Sequence, residues 1–284
     1  MGGWFTEKFS EDHLNIGQRT SIKFEETLFK GKSEFQTIEI VRTDDFGKML
    51  LLDNIVMLNE KFEFTYHEMI SHVPLSLHPN PKKVLIIGGG DGGTATEVVK
   101  NPNVDKCVTV EIDKLVVDKC REFFPALTTG FSHPKSELII DDGIKYMQNH
   151  KNSFDIIIID STDPFGPAEG LFKKAFYIDV FNSLKTDGIV VAQSESPFFH
   201  PEIQKDYFEM LKSIFPSVSA FTSAIPFYPS GFWTFSLSCK TTTDFTSMNF
   251  DGLENYGKDL KYFNPDICKA CFSLPNFMKK NVGL

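Results

Sequence analysis

The apolar positions change period along the chain. Up to about residue 60 they alternate: Phe35, Ile38 and Ile40 mark a strand within 34–43, and 47–60 (GKMLLLDNIVMLNE) reads as strand, Asp53-Asn54 turn, strand. Over 63–78 (EFTYHEMISHVPLSLH) the apolar residues at 66, 69, 70, 73 and 77 repeat with a helical period. From 84 onward short strands of buried type alternate with helical segments. The predicted strands are 84–89, 106–113, 136–142, 154–164, 188–195 and 233–240, and the predicted helices 93–101, 114–124, 143–150, 169–184 and 201–215. Such alternation predicts an α/β fold, a mostly parallel sheet with helices on both faces. It follows a small N-terminal antiparallel β domain, residues 1–63, with the larger domain in 64–284. In a sheet of this kind ligands sit outside the carboxyl ends of the strands. Chemistry is therefore expected at Gly88–Gly93, Glu111, Asp142, Asp160–Asp163 and Gln193.

Composition narrows the partners. The 284 residues are 41% hydrophobic and 24% charged, those of an ordinary globular protein, and the net charge is −9. That balance argues against non-specific binding to nucleic acid or anionic membranes and suits a cationic ligand. No apolar run approaches the ~20 residues that span a bilayer. The start, MGGWFTEKFS, has no basic segment leading into an apolar one, so no signal peptide is expected. Five scattered cysteines do not make a disulfide framework, and a reducing, cytoplasmic setting is the expectation. Cys268 and Cys271 follow the helix-start signal Asn264-Pro265-Asp266 and read as two small core residues on one helical face.

The stretch VLIIGGGDGGT (84–94) carries the first chemical signal. Gly88, Gly90 and Gly93 satisfy G-x-G-x-x-G, and Glu111 closes the next strand 21 residues after Gly90, in the position of an acid that binds a ribose diol. Asp91 is out of place for a dinucleotide, because a carboxylate where a pyrophosphate should lie is repulsive. A nucleoside without phosphate and with a positive charge nearby fits better, such as a sulfonium nucleoside whose chain ends in an amine. Asp142-Gly143, after the third strand, is placed either to hold an adenine amino group or to cap a helix, and the residues alone leave both open.

The second signal is IIIIDSTDPFGPAEGLF (156–172). Asp160 and Asp163 end a wholly apolar strand and point into the crevice, where with Asp91 they make three carboxylates that need cations. Mg²⁺ would satisfy them but usually accompanies phosphate chemistry, which Asp91 opposes, so no metal is expected and a polyamine is the preferred occupant.

These motifs together, GGGDGG, VEID, DDG, DSTDPFGPAEGLF, AQSES and IPFYPSG in this order, resemble those of spermidine synthases. The resemblance runs from GWF (3–5) through EFTYHEMISHVPL to YFNPDICKACFSLPNF. It implies a small β domain on a Rossmann-like domain, commonly dimeric or larger. It also implies transfer of an aminopropyl group from decarboxylated S-adenosylmethionine, a co-substrate rather than a cofactor, to putrescine. By resemblance Asp91 holds the ammonium of the aminopropyl chain, and Glu111, Gln36, Asp142 and Gly143 hold the nucleoside, with Gly88, Gly90 and Gly93 giving it backbone room. Asp160 is the candidate base, with Tyr66 and Tyr228 orienting the amine. Asp163 takes the distal ammonium, Gln193 joins the acidic crevice, and His67 is a candidate contact to the ligand chain that is equally open to a structural role. Trp4 by resemblance, and Trp233 as a second candidate, line the slot for the four-carbon chain. Val56-Met57 departs from the Ile-Gln of many relatives and removes one polar contact to the nucleoside. The competing readings are a spermine- or thermospermine-type aminopropyltransferase, a putrescine N-methyltransferase, a nicotinamide dehydrogenase, and a non-catalytic binding protein on the same fold.

Overall fold

The computed structural model describes residues 2–7, 19–164, 166–250, 253 and 257–284. Strands β1 (Gly3–Thr6) and β2 (Ser21–Phe24) pair antiparallel. Strands β3 (Glu26–Lys32), β4 (Thr37–Thr43), β5 (Gly47–Leu52) and β6 (Ile55–Asn59) form an antiparallel sheet in chain order. The β5–β6 turn places Asp53 and Asn54 at φ of 48° and 67°, the left-handed pair that a two-residue hairpin needs and that Asp and Asn tolerate. On one face Ile38, Ile40, Leu50, Leu52 and Leu58 pack against Val116, Cys120 and Phe124 of the second domain. That contact sets the small sheet as a roof over the larger one.

Helix α1 (Phe64–Leu77) leads into β7 (Lys83–Gly88), α2 (Gly93–Lys100), β8 (Lys106–Glu111), α3 (Lys114–Phe123), β9 (Ser136–Ile140) and α4 (Gly143–Gln148). Then come β10 (Phe154–Asp160), α5 (Lys174–Ser183), β11 (Leu184–Gln193), α6 (Pro201–Lys212), β12 (Ser217–Ala224) and β13 (Phe232–Cys239). The seven-stranded sheet has the order β12-β13-β11-β10-β7-β8-β9. The five strands from β11 to β9 are parallel, whereas β13 runs against β11 and β12 against β13. An antiparallel pair closes through a short connection, so no further crossover helix is needed at this edge.

The uninterrupted apolar run of β10 has a simple cause. Ile156 and Ile158 join one core with Val84, Ile86 and residues of α1 and α2, while Ile157 and Ile159 join the other with Leu85, Ile87 and residues of α4, α5 and α6. Both faces are covered, so after Asp155, whose carboxylate is answered by Lys185 and the N–H groups of Lys82 and Lys83, no polar residue follows until Asp160 at the strand's end.

Two short C-terminal helices, α7 (Pro265–Ala270) and α8 (Asn276–Val282), complete the described fold. The segment before them is tied to α1: the buried Glu68 carboxylate accepts hydrogen bonds from the N–H groups of Lys261, Tyr262 and Phe263, each at 2.8 Å. Cys268 and Cys271 are buried in the core, as their spacing predicts, and burial pushes both thiols up. Among the described residues no helix is long and apolar enough to cross a membrane.

Candidate active site

The chain order reverses between β7 and β10, which is where an open α/β sheet leaves a crevice. A cleft of about 1030 Å³ lies there, lined by Gly88–Asp91, Glu111, Asp142 and Asp160 from the sheet and by Gln36, Leu50, Leu52 and Met57 from the roof. A smaller chamber of about 320 Å³ adjoins it, reaching Asp163, Gln193 and Trp233. Met57, Tyr66, Ser161, Thr162 and Tyr228 line both, so the two spaces meet at the pair of tyrosines.

The glycines of the loop make room for side chains and backbone of the protein itself. A Cβ at Gly88, which sits at φ 84°, would overlap the Asp160 carbonyl oxygen, and Gly89 N–H donates to that same oxygen at 2.8 Å. A Cβ at Gly90 would lie 2.9 Å from the Glu111 carboxylate, and one at Gly93 would run into the His67 imidazole. The loop is thus pressed onto Asp160, Glu111 and His67, and that close approach is what the glycine spacing permits.

Asp91 projects into the cleft with its Oδ1 held from two sides. Gly93 N–H donates to it at 2.7 Å, and His67 Nε2 stands 3.3 Å away. On the other side of the ring Nδ1 lies 2.7 Å from Glu63, one turn earlier in the chain. Burial penalises the His67 cation, but the two carboxylates outweigh it and hold the imidazolium well above its usual range. Asp91 is affected in the opposite sense: burial raises it, His67 and the Gly93 N–H lower it, and the net direction is down. It stays ionised.

Asp160, at the end of β10, accepts the Tyr66 hydroxyl on Oδ1 at 2.8 Å and the Thr94 hydroxyl on Oδ2 at 2.6 Å. Burial and the neighbouring Asp91 charge raise its pKa, against the pull of His67 and the two hydroxyls. Tyr66 meets Tyr228 edge-on with ring centroids 5.9 Å apart, and Tyr228 donates its hydroxyl to the Met57 carbonyl at 3.0 Å. The side chain at 57 is therefore free to vary while its backbone still anchors Tyr228.

The outer cleft ends at Glu111, Gln36, Asp142 and Gly143. Burial pushes Glu111 up to about 7, although its Oε1 accepts Asp113 N–H at 2.8 Å. Gln36 donates to Asp113 at 3.0 Å, and Ser33 donates to the same carboxylate oxygen at 2.6 Å. Asp142 caps α4 by accepting Ile144 N–H at 2.9 Å and also lines the cleft.

At the inner chamber Asp163 is raised well above the carboxylate range by burial and by Glu195, and its Oδ2 has no hydrogen-bond partner among the described residues. Glu195 itself adopts φ 70°, which a non-glycine residue rarely accepts, and burial pushes it up to about 7. Its backbone N–H donates to Gln193 Oε1 at 3.1 Å, and its Oε2 lies 2.8 Å from His200 Nδ1. Glu7, from the N-terminal hairpin, is buried beside this chamber. It accepts Val56 N–H at 2.9 Å and is likewise pushed up to about 7 by burial. Trp233 lines the chamber with its indole N–H unpartnered among the described residues.

Trp4 is not brought to this site. It is 69% exposed on β1 and lines neither space, because the alternation of a strand sends its ring outward. Glu7, Glu63, Thr94, Glu195 and His200 are site residues that sequence reasoning misses. The signal within reach was the i, i+4 spacing of Glu63 and His67 on a predicted helix. Thr94 and Glu195 stand within two residues of the named Gly93 and Gln193, and Glu7 and His200 meet the site only through the tertiary fold. The one cluster among the described residues with metal-ligand spacing, His78, Asp155 and Asp187, lies at the opposite ends of the strands, where Lys185 and the N–H groups of Lys82 and Lys83 already occupy Asp155.

Fold and cleft together are those of a Rossmann-like transferase under a small β domain. The comparisons with known proteins agree and go further. Residues 3–60 match the spermidine synthase tetramerisation domain, and residues 63–249 match the spermine/spermidine synthase domain. The polyamine aminopropyltransferase of Clostridium kluyveri is 47% identical over 279 residues, covering 98% of each chain. That of Thermoanaerobacter sp. (strain X514) is 45% identical over 276 residues, 97% of each. A crystal structure of spermidine synthase in complex with the transition state analogue AdoDATO superposes with a TM-score of 0.93 at 39% identity, covering 99% of this chain and 94% of that one. The spermidine synthase of Thermotoga maritima gives 0.92 at 38% identity, with the same coverage. The chain belongs to the spermine/spermidine synthase family, and it is an aminopropyltransferase.

Proposed function

We propose that the chain transfers the aminopropyl group of decarboxylated S-adenosylmethionine to putrescine, giving spermidine and methylthioadenosine. The observation that carries this reading is the row of carboxyls Asp91, Asp160 and Asp163, the first two half-buried and the third buried, leading from the cleft into the small inner chamber. Three acids in that order match three nitrogens: the donor's ammonium, the attacking amine and the acceptor's distal ammonium. In this reading Glu111 and Gln36 hold the ribose and sulfur side, and Asp142 and Gly143 the adenine. Asp91 selects a donor that ends in an amine, since ordinary S-adenosylmethionine would bring a carboxylate against it.

The reaction is a displacement at the carbon beside the sulfonium, and the sulfur leaves neutral without an acid. The amine nucleophile, with a pKa near ~10.4, must first lose a proton. Asp160 takes it. Burial raises Asp160 toward the amine and so makes it a better base than an ordinary aspartate, while Tyr66 keeps one of its oxygens aimed. Tyr228 walls the junction of the two spaces, and Asp163, with Gln193 and Glu195 behind it, receives the distal ammonium. Trp233 bounds the four-carbon chain. The nucleoside is consumed, so the reaction is written without a cofactor or metal. We take the chain to divide near residue 63, to assemble as a homodimer or homotetramer through residues 3–60, and to work in the cytoplasm.

The test offers putrescine with decarboxylated S-adenosylmethionine in one tube and ordinary S-adenosylmethionine in another, with products read by mass. Spermidine and methylthioadenosine are expected in the first tube alone. N-methylputrescine in the second would overturn the role given to Asp91, and a product formed only in a third tube, with spermidine in place of putrescine, would make this a spermine-type enzyme.

A further inference from the structure

We propose that His67 is a proton-coupled positioning residue for the aminopropyl donor. Its imidazolium holds Asp91 in the empty cleft, and the donor's ammonium takes over that carboxylate as the ring releases its Nε2 proton to solvent. The inference rests on the reading that Asp91 receives the donor's amine.

The geometry is a buried imidazole between two half-buried carboxylates. Glu63 stands at Nδ1 (2.7 Å) and Asp91 at Nε2 (3.3 Å). The other groups that face the ring are the Asp160 carboxyl from β10 and the Tyr66 hydroxyl beside it, with the Tyr66 ring edge-on at 5.4 Å, and Tyr228 stands behind Tyr66. His67 is the cation that compensates this acidic loop, and without it Asp91 would be a buried charge with only one N–H to answer it. The ring cannot swing away to admit a second cation, because it is packed against Gly93, where even a Cβ would overlap it. What can leave is its proton.

An ammonium arriving at Asp91 lies next to the imidazolium and shares its anion, so each cation weakens the hold of the other. By linkage the donor's amine and the Nε2 proton compete, and amine binding strengthens as pH rises through the range where the free enzyme still holds the proton. After release the proton on Nδ1 remains hydrogen-bonded to Glu63, which fixes the tautomer. The bare Nε2 then accepts a hydrogen bond from the ammonium. The balance is an imidazolium and an ammonium entering, and a neutral imidazole, a bound ammonium and one proton on the buffer base leaving.

The experiment is titration calorimetry of the full chain in two buffers of different ionisation heat, over a series of pH values. Two ligands are compared: methylthioadenosine, which lacks the amine, and 5′-(3-aminopropylthio)-5′-deoxyadenosine, which carries the amine on a neutral sulfur and does not react. Buffer-dependent heat is expected for the amine ligand alone. The affinity ratio of the two should rise with pH by up to ~10-fold per pH unit. In His67→Gln, which can still donate to Asp91 but does not titrate, the ratio should be flat with pH and no proton released. Glu63→Gln should move the window of release to lower pH, since one of the two anions that keep the ring charged is gone; this variant carries the test if the first does not fold. An amine that adds affinity through Asp91, lost in Asp91→Asn, yet releases no proton in the parent chain would overturn the inference and leave the proposed function standing. Undiminished release in His67→Gln would do the same. An amine that adds no affinity at all would overturn both.

Discussion

Replacing Asp160 by Asn changes the charge of a buried position and keeps its shape. Oδ1, which accepts the Tyr66 hydroxyl at 2.8 Å, is retained, and the new NH₂ takes the place of Oδ2 beside Thr94, whose hydroxyl turns from donor to acceptor. Burial and the Asp91 charge already disfavour the ionised form here, so the fold loses nothing and the melting temperature should hold or rise. What disappears is a base. A positioned base contributes ~10²- to 10⁴-fold, or ~3–5 kcal/mol of barrier, and turnover should fall by that factor. The binding of methylthioadenosine, which never meets the attacking amine, should not change. The assay is single-turnover formation of spermidine, followed by mass across pH. The parent enzyme should lose activity as pH falls and Asp160 takes up its proton, at a pH above the ordinary carboxylate range because the pKa is raised. The variant should lack that limb. Turnover within ~10-fold of the parent, with the acid limb intact, would refute the assignment of the base.

Three further outcomes are expected. Glu111 is pushed up to about 7 in the folded chain from an ordinary 4.5, so the folded state holds its proton more tightly than the unfolded one. The resulting stability is full below pH 4.5 and is lost as pH rises through about 7, a difference of ~3 kcal/mol. Glu111→Gln should therefore be the more stable protein at pH 8 but not at pH 4.5, in denaturant titrations at both, while losing nucleoside affinity; an equal effect at the two pH values would sink the argument. Glu68→Ala strands three buried N–H groups and should cost ~3–5 kcal/mol, with earlier proteolysis of the segment after residue 257; Glu68→Gln should recover part of it. Trp4→Ala should leave the KM for putrescine unchanged, since the indole stands outside both spaces, and a rise in KM would return Trp4 to the site.

The inner strands of the parallel sheet were legible because β7, β8, β10 and β11 are buried along most of their length and so are rich in Val, Leu and Ile, and because β8, β10 and β11 end on a polar residue. Asp160 after FDIIII and Glu111 after KCVTV stand out for that reason. Strands β1, β2 and β3 were not placed individually within the β region: Trp4, Lys23, Glu26, Lys30 and Lys32 are exposed on them, and the apolar residues between are only partly buried. Strand β12 escaped through its serines, which read as loop, although Val218, Ala220 and Phe221 contribute apolar surface and Phe221 stacks on Phe235 of β13 at 4.9 Å. The acids that end strands were found, and those that support them were not. Glu7 reaches the chamber from the N-terminal hairpin, far away in sequence, and Glu195, two residues after Gln193, turns toward it through a positive φ that the local pattern does not announce.

This second set of acids alters what the charge of the cleft means. Counted by formula, Asp91, Asp160, Asp163, Glu195, Glu7 and Glu111 would put six negative charges around two connected spaces, a density that burial does not allow. The chain resolves it unevenly. Asp91 alone is held below the carboxylate range, by His67 and a backbone N–H. The other five are raised, chiefly by burial, with Glu7, Glu111 and Glu195 near 7. Part of the cleft's negative charge is thus held back by burial, while Asp91 keeps its own. The part held back is latent, and a substrate amine that enters draws it out by displacing protons from the carboxyls it meets. Such a site discriminates by charge twice: a neutral ligand has no means of paying for the ionisation, and an anionic one is opposed by Asp91 from the start.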